Sequence, residues 1–267
     1  MAHFYSKDGK AQYQTVTAKG DRLRPSTIRD AKKNDWLPSV NDILNVVNKP
    51  QLNKWFEDQP LNAVIANAEE MIEVLQSDPV KFKILAKEYA EVEKNKAPDF
   101  GTSLHDVYEG YLKWRQSGKK AIFTPEEQYR PWVRTFNDWF NSADITIEAL
   151  EKVVVQTKGT QQFGGRIDFI GTYNGKKCYI DWKTQGWKSG KPVWYPSFGV
   201  QLAAYAHADG HLGDSALISV SIDRKDPKNL EMKIWDNNTE LYNQFILCYH
   251  LYVSPMYKNW NPADGQS

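Results

Sequence analysis

From residue 38 to about residue 93 the apolar positions fall three to four residues apart, the spacing of one helix face. Pro38 and Ser39 stand before Val40, Ile43, Leu44 and Val47, a proline and a capping hydroxyl ahead of an apolar stripe. Pro50 and Pro60 are expected to break this region into short helices. A further helix is expected from Gly101, where Thr102 or Ser103 can cap a stripe of Leu104, Val107, Tyr108, Tyr111 and Leu112. Pro125 opens another helix that runs to about Ser142.

After Ala149 the period drops to two, and residues 151–157, 165–173 and 176–184 read as strands. Asn174-Gly175 joins the last two and predicts a type I′ hairpin turn. A helix over about 198–209, strands over 216–223 and 230–235, and a last helix over about 240–253 complete the pattern. The order predicts a mixed α/β (α+β) fold with a central sheet flanked by helices. No apolar run approaches the roughly 20 residues of a membrane helix, and residues 1–10 hold no apolar stretch that could act as a signal peptide. With Cys178 and Cys248 as the two cysteines, a soluble, reduced, cytoplasmic protein without a membrane partner is expected.

Charge changes the picture locally. Lys plus Arg total 34 and Asp plus Glu 33, so the net charge of +1 excludes a globally basic coat but not a basic groove. Residues 1–35 carry eight cations against four Asp. The first ten residues read as a solvated tail, and the rest reads equally as a solvated or a backbone-binding arm. Residues 57–78 carry six acids and no Lys or Arg, a solvated face. Two segments are each net +4: residues 111–134, with Lys119 and Lys120, and residues 174–191, with Lys188. Both could contact backbone phosphates. Of the 10 Trp, 14 Tyr and 11 Phe most belong in a core. Trp187, Trp194 and Tyr195 lie in the loop 186–196, where stacking on bases and anchoring of the loop are equally good readings.

The hairpin carries a geometric consequence. In a regular two-residue hairpin Tyr173 faces Lys176, so Asp168 faces Asp181 and Arg166 faces Lys183. Like charges directly opposed destabilise a sheet. A divalent cation between the two carboxylates explains them most simply, and such hard oxygen ligands suit Mg²⁺. Lys183, two residues after Asp181, shares its face and could stabilise a phosphate or position a water. A surface charge network, or a bulge that breaks the register, remains the alternative. Cys178, Ile180 and Trp182 occupy the other face and belong in the core. His105 and Glu109 share a helix face, as do Gln201 and Tyr205. Taken alone, the first pair is the weak signal of a capped, half-exposed His near a helix start, and the second is explained by an ordinary amphipathic helix with Leu202, Tyr205 and Ala206 as core.

Together these residues resemble the PD-(D/E)xK nuclease superfamily, in its RecB-like exonuclease branch. The resemblance rests on Gly165-Arg-Ile-Asp168, Ile180-Asp181-Trp-Lys183-Thr184 and Gln201-Leu-Ala-Ala-Tyr205, with Gly101 to Glu109 as the upstream G-x-x-x-H-x-x-x-E helix. Leu37 to Leu44 and Leu52 to Trp55 resemble the leading segment of mitochondrial genome maintenance exonucleases and their phage relatives. The resemblance implies a restriction-endonuclease-like core and one nuclease domain, with a basic arm over 1–37, a helical region over the site at 38–100 and a catalytic core at 101–255. It implies His105, Asp168, Asp181 and the main-chain carbonyl of Trp182 as metal ligands. Lys183 becomes the catalytic lysine, with Glu109 at a second metal or its water. Gln201 and Tyr205 orient the site, and Glu151 supports the cluster. Arg166, Thr184, Lys188, Trp187, Lys119 and Lys120 are the DNA-contact candidates.

The implied activity is Mg²⁺-dependent hydrolysis of phosphodiesters from free DNA ends, with Mn²⁺ able to substitute. It belongs to recombination, repair or replication, with a single-strand-binding or annealing protein as an accessory partner. Two cysteines leave no four-cysteine iron–sulfur cluster, and there is no Walker A sequence for a helicase motor. The alternatives are a structure-specific or restriction-like endonuclease and a non-catalytic DNA-binding protein on a nuclease fold.

Overall fold

The computed structural model describes residues 3–17, 19–47, 50–118 and 122–256. In chain order the elements are β1 (Phe4–Tyr5), β2 (Gln14–Val16), β3 (Leu23–Pro25), α1 (Ile28–Asn34), β4 (Leu37–Pro38), α2 (Val40–Leu44), α3 (Pro50–Ala66), α4 (Ala68–Ser77), α5 (Pro79–Gln116), α6 (Arg130–Ser142), β5 (Ile145–Gln156), β6 (Phe163–Tyr173), β7 (Lys176–Gln185), α7 (Pro196–Ala208), β8 (Ala216–Asp223), β9 (Leu230–Trp235) and α8 (Asn238–Val253). A short 3-10 turn, Glu127–Tyr129, precedes α6. The chain divides into two compact units, residues 1–47 with 107–267, and residues 48–106. Among the described residues no helix is long and apolar enough to cross a membrane.

The larger unit is built on a five-stranded mixed sheet in the order β5-β6-β7-β8-β9. β7 and β8 run parallel and the other neighbours antiparallel. β8 is buried along almost its whole length, as a central strand with both faces covered must be. The Asn174-Gly175 turn has φ of 50° and 73°, the two positive values that a type I′ turn requires. β7 therefore registers with β6 as expected, Tyr173 opposite Lys176 through Phe169 opposite Ile180. β5 begins at Ile145, six residues before the expected start, because Ile145 and Ile147 still find partners at the far end of β6.

Each sheet face has its own core. On one side α7, almost wholly buried and rich in alanine, packs with α2 and α8 over Ile170, Tyr179 and Leu217. Ser39 caps α2 by accepting the Asp42 N–H, as its sequence position implied. On the other side Trp182 meets Phe136 edge-on at 5.2 Å and Phe169 at 5.9 Å, and Tyr108 stacks on Phe136 at 4.1 Å. Cys178, Ile180 and Trp182 are all buried, as the alternation predicts.

The N-terminal segment corrects the expectation of a solvated tail. Phe4 and Tyr5 are buried, β1 pairs with β4, and Ser39 bridges to Gly164 of β6. Two aromatic residues among polar ones give no periodic signal, yet burying two large side chains outweighs the polar surroundings.

The 48–106 unit contains α3, α4 and the first part of α5. Pro60 lies inside α3 rather than ending it. An interior proline costs about 3 kcal/mol, but the turns around it are packed at Gln59 and Ala63. The expected helix start at Gly101 is likewise absent, because α5 runs unbroken from Pro79 through that glycine to Gln116. Thr102 and Ser103 are therefore interior positions, not caps. α2 belongs to the other unit, so the expected helical region at 38–100 is divided.

Candidate active site

The regular ladder between β6 and β7 ends one pair before Asp168 and Asp181. On the β5 side the partners also skip this position, passing from Leu150–Phe169 to Lys152–Ile167. Glu151, the skipped residue, is left-handed at φ 51°. Side-chain alternation slips across Asp168. Ile170 faces α7, Phe169 faces the aromatic cluster, and Ile167 faces α7 again. One residue of each strand is unpaired here with no net change of register, the register shift itself lying between Ile147 and Ala149. The unbroken hairpin therefore does not describe the site, because its ladder stops at Phe169–Ile180. Arg166 does not oppose Lys183; it ion-pairs with Glu151 at 2.8 Å and lies 5.9 Å from the Tyr13 ring centre.

The two carboxylates nonetheless share one site. Asp168 Oδ2 accepts the Trp182 backbone N–H at 2.8 Å. Burial first, and then the charge of Asp181, push the Asp168 carboxyl well above the ordinary carboxylate range; the Trp182 N–H and Lys183 pull it back only in part. Asp181 is buried beside it. Its Oδ2 faces the Lys183 ammonium but receives no well-aligned hydrogen bond. Two desolvated carboxylates with one incompletely satisfied oxygen form a hard donor set suited to a divalent cation.

Lys183 is fixed from three directions. It ion-pairs with Asp181, donates to Gln201 Oε1 at 2.8 Å, and sits 4.7 Å from the Phe198 ring centre. Gln201 Nε2 donates to the Tyr205 hydroxyl at 3.0 Å, so the two α7 residues form one chain behind the lysine. Burial, with Asp181 next, holds the Tyr205 hydroxyl in its protonated form. The spacing of Gln201 and Tyr205 thus places both side chains in one hydrogen-bonded chain with Lys183. Phe198 escaped the sequence reading, although its place three residues before Gln201 puts it on the same helix face.

Gly165 serves packing. A Cβ there would lie 2.2 Å from Tyr205 Cε1, so only glycine lets the ring close against β6. Thr184 is half-buried, and its Oγ1 has no hydrogen-bond partner among the described residues. Trp187 is tied into its loop, its indole N–H donating to Ser221 Oγ at 3.1 Å. Tyr195 meets Phe198 edge-on at 5.4 Å. Lys188 is exposed in a turn closed by its backbone pairing with Lys191.

Glu109 ion-pairs with Lys113 one turn along α5. His105, half-buried on the same helix, falls in the 48–106 unit. Lys119 and Lys120 lie outside the described residues. Among the described residues no three His, Cys, Asp or Glu side chains form a group that could hold a metal ion.

No protein-family model matches the sequence, and no curated protein matches it. Solved structures align with part of it. The alkaline exonuclease LHK-Exo from Laribacter hongkongensis aligns over 60% of this chain and 82% of its own, at 15% identity and a TM-score of 0.33. The same enzyme in complex with dAMP aligns over 61% and 90%, at 16% identity and 0.33. The structure of SSO0001 aligns over 58% and 84%, at 15% identity and 0.29.

Proposed function

We propose that this protein is a metal-dependent DNA exonuclease that hydrolyses phosphodiester bonds from DNA ends. The observation that carries this function is the juxtaposition of buried Asp168 and Asp181 with a Lys183 ammonium fixed by Gln201. A packed interior would not retain two facing carboxylates for stability alone, and perturbed groups of this kind concentrate at functional sites.

Asp168, Asp181 and the main-chain carbonyl of Trp182 would hold the Mg²⁺. Bound there, the cation would polarise the phosphate and make a water more acidic. Lys183 sets its positive charge beside the attacked phosphate, where charge accumulates as the bond breaks. Gln201 keeps the ammonium aimed and, through Tyr205, ties it to α7. Where the β6–β7 pairing stops at Asp168, β7 remains paired with β8, so the site rests on a supported strand.

The test is digestion of end-labelled linear single strands, linear duplexes and closed circles in Mg²⁺, with EDTA and Lys183→Ala as controls. Loss of linear DNA only, abolished by both controls, is expected. Cleavage of circles at the same rate would replace the function with an endonuclease. Binding without cleavage of any substrate would leave a DNA-binding protein.

A further inference from the structure

A second constellation lies in the larger unit, where the end of α5, the start of α6 and residues 122–125 line a cleft of about 780 Å³. Tyr111, Trp114 and Arg115 line it from α5, and Arg130 and Arg134 from α6. The spacing of four puts the two α6 arginines on one helix face. Phe123 forms part of a third wall, its ring 6.2 Å from Trp114 and 5.6 Å from Tyr111. Among the described residues no acidic side chain lines the cleft. Arg115 is held in place, donating to the Tyr111 hydroxyl at 2.9 Å and to Asn141 Oδ1 at 2.6 Å. Arg130 and Arg134 are exposed, and neither has an ion-pair partner among the described residues.

We propose that this cleft is an auxiliary binding site for a single nucleic-acid strand, distinct from the Asp168–Asp181–Lys183 site. The occupant follows from two complementary surfaces. Paired guanidiniums on one wall match backbone phosphates, and an aromatic wall of Trp114 and Phe123 matches the face of an unstacked base. An acidic peptide would use the arginines and leave the rings without a partner. A strand held here would keep the substrate on the enzyme between cleavage events. The inference deepens the nuclease function, because it names a contact for that substrate outside the catalytic residues.

The experiment is fluorescence anisotropy of a 3′-labelled oligothymidylate with the full chain, in EDTA so that no cleavage intervenes. Arg130→Ala/Arg134→Ala is expected to weaken binding at least tenfold. The slope of log K against log salt should fall by about 1.4, for two phosphates on a single strand. Phe123→Leu should weaken binding severalfold with little change in that slope. The control Lys83→Ala/Lys87→Ala removes the same charge from exposed positions on α5 and should shift binding less than twofold. The proposal is overturned if the arginine variant binds within twofold of the wild type, or if this lysine control loses as much. It is also overturned if an oligoglutamate competes as well as unlabelled oligothymidylate. Binding alone is read, so cleavage with unaltered binding in the arginine variant would sink this site only. Strand binding through the cleft without cleavage in Mg²⁺ would sink the nuclease function only.

Discussion

Asp168 Oδ2 accepts the backbone N–H of Trp182 at 2.8 Å, at the point where the β6–β7 ladder stops. A side-chain carboxylate thus caps the end of the ladder and lies against Asp181. Its oxygen must accept that bond, while its charge is disfavoured by burial and by Asp181. Asp168→Asn keeps an acceptor oxygen and removes the charge. It should stabilise the protein in EDTA by about 1 kcal/mol, seen as a higher Tm, while cleavage in Mg²⁺ falls at least a thousandfold. A lower Tm in EDTA would show that the charge is already compensated within the fold.

Gln201 touches Lys183 rather than the reacting phosphate, so its loss should act through the lysine. Gln201→Ala is expected to reduce kcat about a hundredfold, the scale of a roughly 1 Å misplacement of a catalytic group. KM should change little. Steady-state kinetics on a linear strand distinguishes this from a binding defect, in which KM would rise and kcat persist.

Gly165→Ala places a methyl carbon 2.2 Å from the Tyr205 ring. Relief requires a shift of β6 or α7, with a cost of about 1–3 kcal/mol. Chemical denaturation should report that loss. Tyr205→Leu in the same background should restore most of the stability without restoring activity, because the link from Gln201 to the Tyr205 hydroxyl is gone.

Asp30 tests the N-terminal segment. It receives both Arg24 guanidinium nitrogens, at 2.7 and 2.8 Å, and closes a capping box with Thr27. The Arg24 guanidinium, more than the Thr27 bonds, holds its carboxyl well below the ordinary 3.8. A carboxylate with a depressed folded-state pKa stabilises the fold above its unfolded value, and that stability is lost as pH falls through the folded pKa. Asp30→Asn should therefore cost about 1 kcal/mol at pH 7. The Tm difference from wild type should persist down to about pH 4 and shrink below it. A difference independent of pH would mean that the capping hydrogen bonds alone matter.

Much of the larger unit was legible from local chemistry. The drop in period after Ala149, the Asn174-Gly175 turn and the alternation of Cys178, Ile180 and Trp182 act over a few residues, so they marked strands and buried faces directly. Gln201 and Tyr205 were legible as a pair because a helix repeats every 3.6 residues. Helix boundaries were not. Pro60 and Gly101 are local helix breakers, and packing in α3 and the continuity of α5 overrode them.

What the sequence by itself determined is the order of elements, the mixed α/β class and the candidates Asp168, Asp181, Lys183, Gln201 and Tyr205, since each follows from residue type and short-range spacing. Tertiary structure alone decided the break in pairing at Asp168, the pairing of Arg166 with Glu151 and the burial of Phe4 and Tyr5. It also decided the approach of Phe198 to Lys183 and the closure of Gly165 on Tyr205. These contacts join segments far apart in the chain, and their free energy depends on what else is desolvated beside them, which no local pattern encodes.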